Sequence, residues 1–210
     1  MIHEILPVGV LQCNCSIFGD EVSREAIVID PGADLADIEA ILQKHQLNVK
    51  AIVVTHAHID HVAGAQELKV KTGAPIYLNA NDAELLSVLD IQAQWIGVPA
   101  PGKVEVDTNA GDGTSLSLGG SDFHVMHTPG HTQGSISIFI PQQNTLIAGD
   151  TLFRDSIGRT DLPGGNGRQL LSSIKTRLLV LPEETVVVPG HGPKTTIGRE
   201  KENNPFLQKL

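Results

Sequence analysis

The chain has 210 residues, of which 40% are hydrophobic, and this is enough to build the core of one domain over residues 1–210. Its formal net charge is −9 and it contains no run of Lys and Arg, which argues against nucleic-acid binding. No apolar stretch approaches the ~20 residues of a membrane span and no export-signal pattern is present, so we expect a cytoplasmic protein without membrane contacts.

The first half of the sequence alternates short apolar runs with helical patterns. Strands are predicted by apolar runs at residues 13–18, 26–30, 51–54 and 75–78. Helices are predicted by apolar periodicity at residues 35–47, 62–71 and 82–89. Residues 92–102 are ambiguous. The run at 51–54 is apolar throughout and rich in β-branched residues, which is typical of a strand covered on both faces.

The second half of the sequence has a different texture. Between residues 104 and 150, Gly and Pro turns separate alternating or apolar runs, and this pattern predicts mostly antiparallel strands. Residues 151–168 are rich in Gly and polar groups. A helix is predicted at 169–179 and a last strand at 184–188. The sequence therefore predicts two α/β halves in succession.

Three histidines and an aspartate lie within six residues, immediately after the strand predicted at 51–54. His56 and His58 are two residues apart, so in extended chain they project to the same side, while Asp60 and His61 begin the next helix. Neutral imidazole and carboxylate oxygen are ligands that Zn²⁺ and Fe²⁺ accept. The alternative is a polar loop in which Asp60 caps the helix, but capping leaves three histidines unexplained.

Three further residues complete a plausible set of metal ligands. His131 and His191 lie in Pro- and Gly-containing loops that fix the backbone presenting each imidazole. Asp150 directly follows the strand-like run at residues 145–148. Each residue alone is weak evidence, because a single histidine in such a loop is more often a surface or hydrogen-bonded residue. Together with the cluster they indicate a metal site.

The remaining histidines test how selective this interpretation is. We expect His3 and His45 at the surface, and His124 and His127 to be non-ligands because neither lies in a loop with fixed geometry. Asp30 follows a predicted buried strand and precedes a Pro-Gly pair. Its carboxylate either orients a ligand histidine through the second ring nitrogen or forms a turn.

The order of these residues resembles the metallo-β-lactamase superfamily, in which a His-x-His-x-Asp-His cluster is followed by single His, Asp and His ligands. The resemblance implies a four-layer αββα sandwich with two divalent metal ions at the edge between the two sheets. Zn²⁺ is the expected ion, with Fe or Mn as alternatives. Carried over residue by residue, the resemblance assigns one metal to His56, His58 and His131, the other to Asp60, His61 and His191, and a bridging position to Asp150.

Within the superfamily, residues 128–134, 149–153, 158–161 and 204–207 resemble the short bacterial glyoxalase II-like proteins. This implies an enzyme that hydrolyses thioesters of the hydroxyacylglutathione type by a metal-bridging hydroxide, with Asp60 both binding metal and able to accept a proton. The expected partner is a small anionic thioester. Arg154 and Arg159 are candidates for holding its anionic tail, and the alternative for both is a salt bridge to Asp155 or Asp161.

Two other functions remain open. Residues 158–161 also resemble the persulfide dioxygenases, in which a single iron would be held by His56, His131 and Asp150. A non-catalytic metal-binding module is the third hypothesis, and the complete ligand set argues against it. Full-length glyoxalase II carries a further helical segment that grips glutathione, and the sequence lacks it, so recognition of glutathione stays open. The sequence gives no indication of the oligomeric state.

Overall fold

The computed structural model describes residues 1–208 and contains two six-stranded sheets packed face to face. Sheet 1 consists, in spatial order, of β1 (Ile2–Val8), β2 (Cys13–Gly19), β3 (Glu25–Ile29), β4 (Asn48–Val53), β5 (Ile76–Leu78) and β6 (Thr108–Asn109). Sheet 2 is built from β7 (Ser115–Leu118), β8 (Ser121–His127), β9 (Ile136–Ile140), β10 (Thr145–Gly149), β13 (Val186–Pro189) and β14 (Thr195–Thr196). A short hairpin pairs β11 (Leu152–Phe153) with β12 (Ser156–Ile157).

Strand direction matters for the position of the site. In sheet 1, β3 to β6 run parallel to one another, and β1 and β2 add antiparallel pairs. In sheet 2 the spatial order is β14, β13, β10, β9, β8, β7, and β10 and β13 are the parallel pair. The carboxyl ends of parallel strands share one edge of a sheet, which is where ligands bind in open α/β sheets.

Helices cover the outer face of each sheet. Sheet 1 is covered by α1 (Leu35–Lys44), α2 (Ile59–Val62), α3 (Ala65–Thr72), α4 (Ala83–Leu86) and α5 (Leu89–Ile96). Sheet 2 is covered by α6 (Gly167–Ser173), a following π-helical turn (Ile174–Leu178) and α7 (Ile197–Asn203). Within residues 1–208, every helix is too short or too polar to cross a bilayer.

Three hydrophobic cores result from this layering. On β3, Ile27 and Ile29 point into the core between the sheets, whereas Ala26 and Val28 point into the core beneath the helices. The two sheets meet through residues such as Phe18 and Phe123, whose rings pack edge to face with centroids 5.0 Å apart. The αββα sandwich is therefore confirmed.

Several predicted elements differ in their bounds. The helix predicted at 62–71 is two helices, α2 and α3, because Gly64 lies against the Pro31 turn: a Cβ there would be 2.3 Å from the Pro31 carbonyl oxygen. The helix predicted at 35–47 ends at Lys44, and Gln46 turns the chain with a φ of 55°. The helix predicted at 82–89 is interrupted after Leu86, and α5 fills part of the ambiguous segment.

Candidate metal centre

The seven residues assigned as metal ligands lie together at one edge of the sandwich. His56 and the residues up to His61 follow β4, Asp150 follows β10, and His191 follows β13. His131 lies in the turn between β8 and β9. Parallel strands of both sheets thus end at the same place, and side chains distant in sequence converge there.

The first ligand group consists of His56, His58 and His131. Nε2 of His56 lies 3.0 Å from Nδ1 of His58, and Nε2 of His131 lies 2.9 Å from the same Nδ1. His56 and His131 are buried and His58 is half-buried. Three imidazole nitrogens therefore face one point, within the spacing that a shared metal ion requires.

The second ligand group consists of Asp60, His61 and His191. Nε2 of His191 lies 3.1 Å from Oδ2 of Asp60 and 3.3 Å from Nε2 of His61. Oδ2 of Asp60 lies 3.6 Å from Nε2 of His61. These three atoms also converge closely enough to hold one ion.

Asp150 lies between the two groups. Its Oδ2 is 3.5 Å from Nε2 of His131 and 3.7 Å from Nε2 of His191, and its Oδ1 is 3.5 Å from Nε2 of His61. Oδ1 is buried and has no hydrogen-bond partner. A buried carboxylate oxygen without a partner is costly, and a cation between the groups would provide one. The residues therefore fit a pair of divalent ions.

Hydrogen bonds on the outer side of the site fix the orientation of two imidazoles. Nδ1 of His131 donates to the carbonyl oxygen of Arg159 at 2.8 Å, and Nδ1 of His191 donates to the carbonyl oxygen of Leu11 at 2.9 Å. Because a carbonyl only accepts, each Nδ1 carries the proton and each Nε2 presents a lone pair to the site. Such outer partners raise the metal affinity of a ligand histidine.

Asp30 fixes the other two deeply buried histidines. Its carboxylate accepts hydrogen bonds from the Thr55 backbone N–H (2.7 Å), the Thr55 hydroxyl (2.7 Å) and Nδ1 of His61 (2.9 Å). Because the Thr55 hydroxyl proton points to Asp30, its oxygen accepts from Nδ1 of His56 at 3.1 Å. Of the two roles that the sequence left open, Asp30 therefore orients ligand histidines, and with a φ of 56° it also turns the chain.

Charge states in the first ligand group and at Asp60 suit metal binding. At His61 and His191 burial opposes protonation, but nearby anionic groups outweigh it and raise the pKa of both imidazoles. Burial lowers the pKa of His56 well below its usual value, and burial together with the nearby His131 lowers the pKa of His58 to about 3. Burial opposes ionisation of Asp60, but the imidazoles of His61 and His191 outweigh it and lower the pKa of that carboxyl. Neutral imidazoles and an ionised carboxylate are the forms that coordinate metal.

Two glycines allow the backbone to approach the ligands closely. A Cβ on Gly190 would lie 2.0 Å from Oδ1 of Asp150 and 2.8 Å from Cε1 of His61. A Cβ on Gly32 would lie 1.6 Å from the carbonyl oxygen of Asp60. The Gly-containing loops thus leave space for ligand side chains and ligand backbone. This is a second role, in addition to the fixed backbone geometry that the sequence predicts.

The loop that carries His191 is held by the start of β2. The backbone N–H of Asn14 donates to the carbonyl oxygen of Gly190 at 2.7 Å. Its side-chain Nδ2 donates to the carbonyl oxygens of Pro189 (3.0 Å) and Gly192 (2.9 Å). Sheet 1 therefore positions the last ligand of sheet 2.

Asp82 joins the two loops of the first ligand group, and the sequence analysis did not identify it. Its Oδ2 accepts from the Ala57 N–H at 2.9 Å and the Thr132 hydroxyl at 2.8 Å, and its Oδ1 accepts from the Gly134 N–H at 2.6 Å. The side chain is buried. Its position at the predicted start of a helix carried no signal of these contacts, all of which are long-range.

The two predicted substrate-binding arginines are both close to carboxylates. Arg159 lines the cavity above the metal ligands, but its guanidinium donates two hydrogen bonds to Asp161, at 2.7 and 2.8 Å. Arg154 lies outside the cavity lining, 3.9 Å from Asp155. Within the described chain, the histidines that belong to neither ligand group are His3, His45, His124 and His127.

His3 and His45, both expected at the surface, are half-buried. Nε2 of His45 lies 2.8 Å from Glu4, and the ring of His3 stacks on Phe18 with centroids 3.8 Å apart. Burial, together with the nearby Lys194, lowers the pKa of His3 to about 4. This histidine therefore behaves as part of the sheet-to-sheet packing.

A cavity of about 500 Å³ opens above the ligands. Its walls include five apolar residues, which we call the apolar rim: Leu11, Ile59, Trp95, Ile96 and Leu162. The helix α5 supplies two of them. Gln92 on the same helix fixes its position, since its Oε1 accepts from the Ile59 N–H at 2.9 Å and its Nε2 donates to the Ala57 carbonyl at 3.2 Å.

Sequence comparisons with known proteins agree on one family. The model of the metallo-beta-lactamase superfamily matches residues 8–191. The hydroxyacylglutathione hydrolase GloC of Haemophilus influenzae is 39% identical over 211 residues, covering 97% of this chain and 97% of that protein. The probable metallo-hydrolase YqgX of Bacillus subtilis is 37% identical over 205 residues, covering 96% and 95%.

Solved structures resemble the whole fold. BLEG-1, a B3 metallo-beta-lactamase, has a TM-score of 0.91 at 38% identity, with 99% of this chain and 100% of that chain covered. TTHA1623 in a di-iron-bound form has a TM-score of 0.87 at 38% identity, with 97% and 100% covered. ETHE1 from Myxococcus xanthus has a TM-score of 0.79 at 30% identity, with 98% and 84% covered.

Proposed function

The chain belongs to the metallo-β-lactamase superfamily, whose members are mostly metal-dependent hydrolases, and on that premise we propose that it hydrolyses thioesters with two divalent metal ions. The observation that carries the proposal is Asp150, which lies between two complete ligand groups with one buried oxygen unpaired. The relative GloC, a hydroxyacylglutathione hydrolase, supports thioesters as the substrate class. Zn²⁺ is the ion we propose, with Fe or Mn as alternatives, and a similar structure is di-iron-bound.

Bound divalent ions lower the pKa of water from 15.7 to roughly 7 and polarise a carbonyl oxygen, which is the chemistry that thioester hydrolysis needs. The protein contributes fixed ligand geometry, because the Nδ1 atoms of His61, His131 and His191 are each held by an acceptor outside the site. Asp60 lines the cavity in its ionised form and is the proton acceptor of the proposal; its lowered pKa makes it a weak base, so its main contribution is as a ligand. A thiolate is a good leaving group, so the reaction needs no residue that acts as a strong general acid.

The alternative function is a mononuclear iron dioxygenase that acts on a persulfide and uses His56, His131 and Asp150. The structural similarity to ETHE1 supports this alternative. It would leave Asp60, His61 and His191 without a metal, although their ligand atoms also converge within 4.8 Å of one another. The two-ion hydrolase explains more of the site.

The experiment that separates the two functions is metal analysis with parallel assays on one preparation. We expect more than one equivalent of Zn, Fe or Mn per chain, and hydrolysis of S-lactoylglutathione or a related thioester without oxygen. Oxygen uptake with glutathione persulfide, together with one tightly bound iron and no thioester hydrolysis, would replace the hydrolase by the dioxygenase.

A further inference from the structure

The cavity above the metal ligands has two chemically different halves. Its lining combines ligand side chains with the apolar rim. Two rim side chains stay unusually open to solvent, since Leu11 is 47% exposed and Trp95 is 62% exposed. Apolar surface of this kind beside a reaction centre is stabilised when a ligand covers it.

A second groove of about 680 Å³ continues the cavity past the end of α5. It shares Ile59, Asp60 and Ile96 with the metal cavity and runs between the loop of Val10 and the segment that begins at Val98. The side chain of Val10 is 67% exposed. An extended apolar chain that starts at the metal site can therefore pass Ile96, which lines both cavities, and reach Val10 and Val98.

Apart from the proposed metal ions, the described lining of the two cavities offers an anionic tail no unpaired Lys or Arg. Within residues 1–208, the lining of the metal cavity contains one cation, Arg159, which is already paired through two hydrogen bonds with Asp161. The lining of the second groove contains the carboxylates Asp34, Asp60 and Glu67, and no Lys or Arg within the same described range. Beyond reach of the proposed metal ions, a carboxylate tail would have to displace Asp161 or remain in solvent.

We infer that the substrate carries an extended apolar group, which packs against Leu11, Trp95 and Ile96 and continues into the groove beside Val98. The inference rests on the proposed thioester hydrolysis for its reacting group. It goes beyond that proposal in selecting apolar thioesters over those with a small polar acyl group and an anionic thiol. Trp95 and Ile96 are the specificity-determining residues.

Binding can be measured without catalysis, because Trp95 is the single tryptophan of the chain. The probes are neutral S-alkyl thioethers of N-acetylcysteamine, from methyl to octyl, added to metal-loaded protein, with S-methylglutathione as the anionic comparison. We expect the Trp95 emission to shift to shorter wavelength and the affinity to rise about two- to fourfold per added methylene. No shift, or an affinity independent of chain length, would overturn the inference.

Matched variants locate the bound chain. Ile96→Ala should weaken binding of the octyl probe about fivefold, and Leu11→Ala about threefold, because each removes apolar surface from the rim. Ile91→Ala is the control: Ile91 lies on the same helix but outside the metal cavity and the second groove. Equal loss of affinity in Ile91→Ala and Ile96→Ala would refute the assigned path. Leu11→Ala keeps the test valid should Ile96→Ala fold poorly, since the Leu11 side chain is largely exposed.

Kinetics then separate the two halves of a thioester. One series varies the acyl group from acetyl to octanoyl on N-acetylcysteamine, and the other varies the alkyl thiol on an acetyl group. We expect kcat/KM to rise with chain length in one series and to exceed the value for S-lactoylglutathione. A higher value for S-lactoylglutathione than for every apolar thioester would overturn the inference and leave the hydrolase standing. Binding of the thioethers without hydrolysis of any thioester would instead remove the proposed function.

Discussion

The metal-ligand cluster and the apolar rim border the same cavity but are built differently. In the cluster, buried or half-buried side chains are fixed by hydrogen bonds from outside the site, as with Asp30 and His61 at 2.9 Å. In the rim, Ile59 is buried, but Leu11 is 47% exposed and Trp95 is 62% exposed. The two surfaces thus differ in how much of the surrounding fold determines them.

The difference indicates which part of the site tolerates change. A substitution in the cluster leaves buried polar groups without partners, which costs stability as well as metal affinity. A substitution at an exposed rim residue removes contact surface and little else. One scaffold can therefore keep its chemistry while the rim changes its substrate preference.

The largest expected effect is that of Asp150→Ala, which removes the carboxylate between the two ligand groups. We expect metal content to fall below one equivalent and thioester hydrolysis to fall at least a hundredfold. Metal analysis and assays on the same samples check this. Asp37→Ala, at an exposed position in α1, is the control. Full activity in Asp150→Ala would remove the bridging role.

A smaller effect on the cluster is expected from Gly190→Ala, because the new methyl group would overlap Oδ1 of Asp150. We predict a loss of metal affinity of about 10- to 100-fold and a loss of about 1–3 kcal/mol in unfolding free energy. Gly192→Ala is the matched control in the same loop: its Cβ meets open space, and only its φ of 74° opposes the change. Comparable metal loss in both variants would show that crowding of Asp150 is not the cause.

Asp82→Asn tests whether the loops of the first ligand group are coupled. The amide can accept for Ala57 and Thr132, but its NH₂ would then face the N–H of Gly134. We expect a destabilisation of about 2 kcal/mol, from the unsatisfied buried N–H, and a several-fold loss of activity. Urea unfolding and kinetic assays measure the two effects. Unchanged stability would mean that Asp82 does not hold the loops together.

The smallest effect on activity is expected from His3→Phe, far from both surfaces. The pKa of His3 falls from 6.5 to about 4 on folding, so the unfolded chain binds the proton more tightly. The stability that depends on neutral His3 is present above pH 6.5 and is lost as the pH falls towards 4, by about 1–2 kcal/mol between pH 7 and pH 5. Urea unfolding of chelator-treated protein should show this acid loss in wild type and a smaller one in His3→Phe. Equal losses in both proteins would exclude His3 as their source.

Much of the cluster could be predicted because its signals are local. His56 to His61 stand in one short segment, and the Gly and Pro residues around His131 and His191 are visible without a structure. Asp82 and Asn14 could not be identified, since each acts through hydrogen bonds to residues at least 25 positions away. Their types and neighbours suit an ordinary helix start and an ordinary strand.

The sequence predicts the fold class correctly, but it predicts the bounds of several helices only approximately. The apolar strands of the core follow from their patterns, whereas α5 was ambiguous because it buries Gln92, whose amide serves the backbone of Ile59 and Ala57. A buried glutamine breaks the apolar periodicity that predicts a helix. The break between α2 and α3 includes Gly64, where the Pro31 turn packs closely against the backbone. This contact is not visible in the sequence.

The hydrogen bonds from Asn14 to the loop of His191 affect the order of events during synthesis. The ribosome delivers Asn14, Asp60 and His61 early, but their partners lie at residues 189–192. Until those residues emerge, the second ligand group lacks one donor and the carbonyl oxygens that Asn14 binds do not exist. Loading of the proposed metal pair therefore waits until residues 189–192 have been made, however early the histidine-rich segment leaves the ribosome.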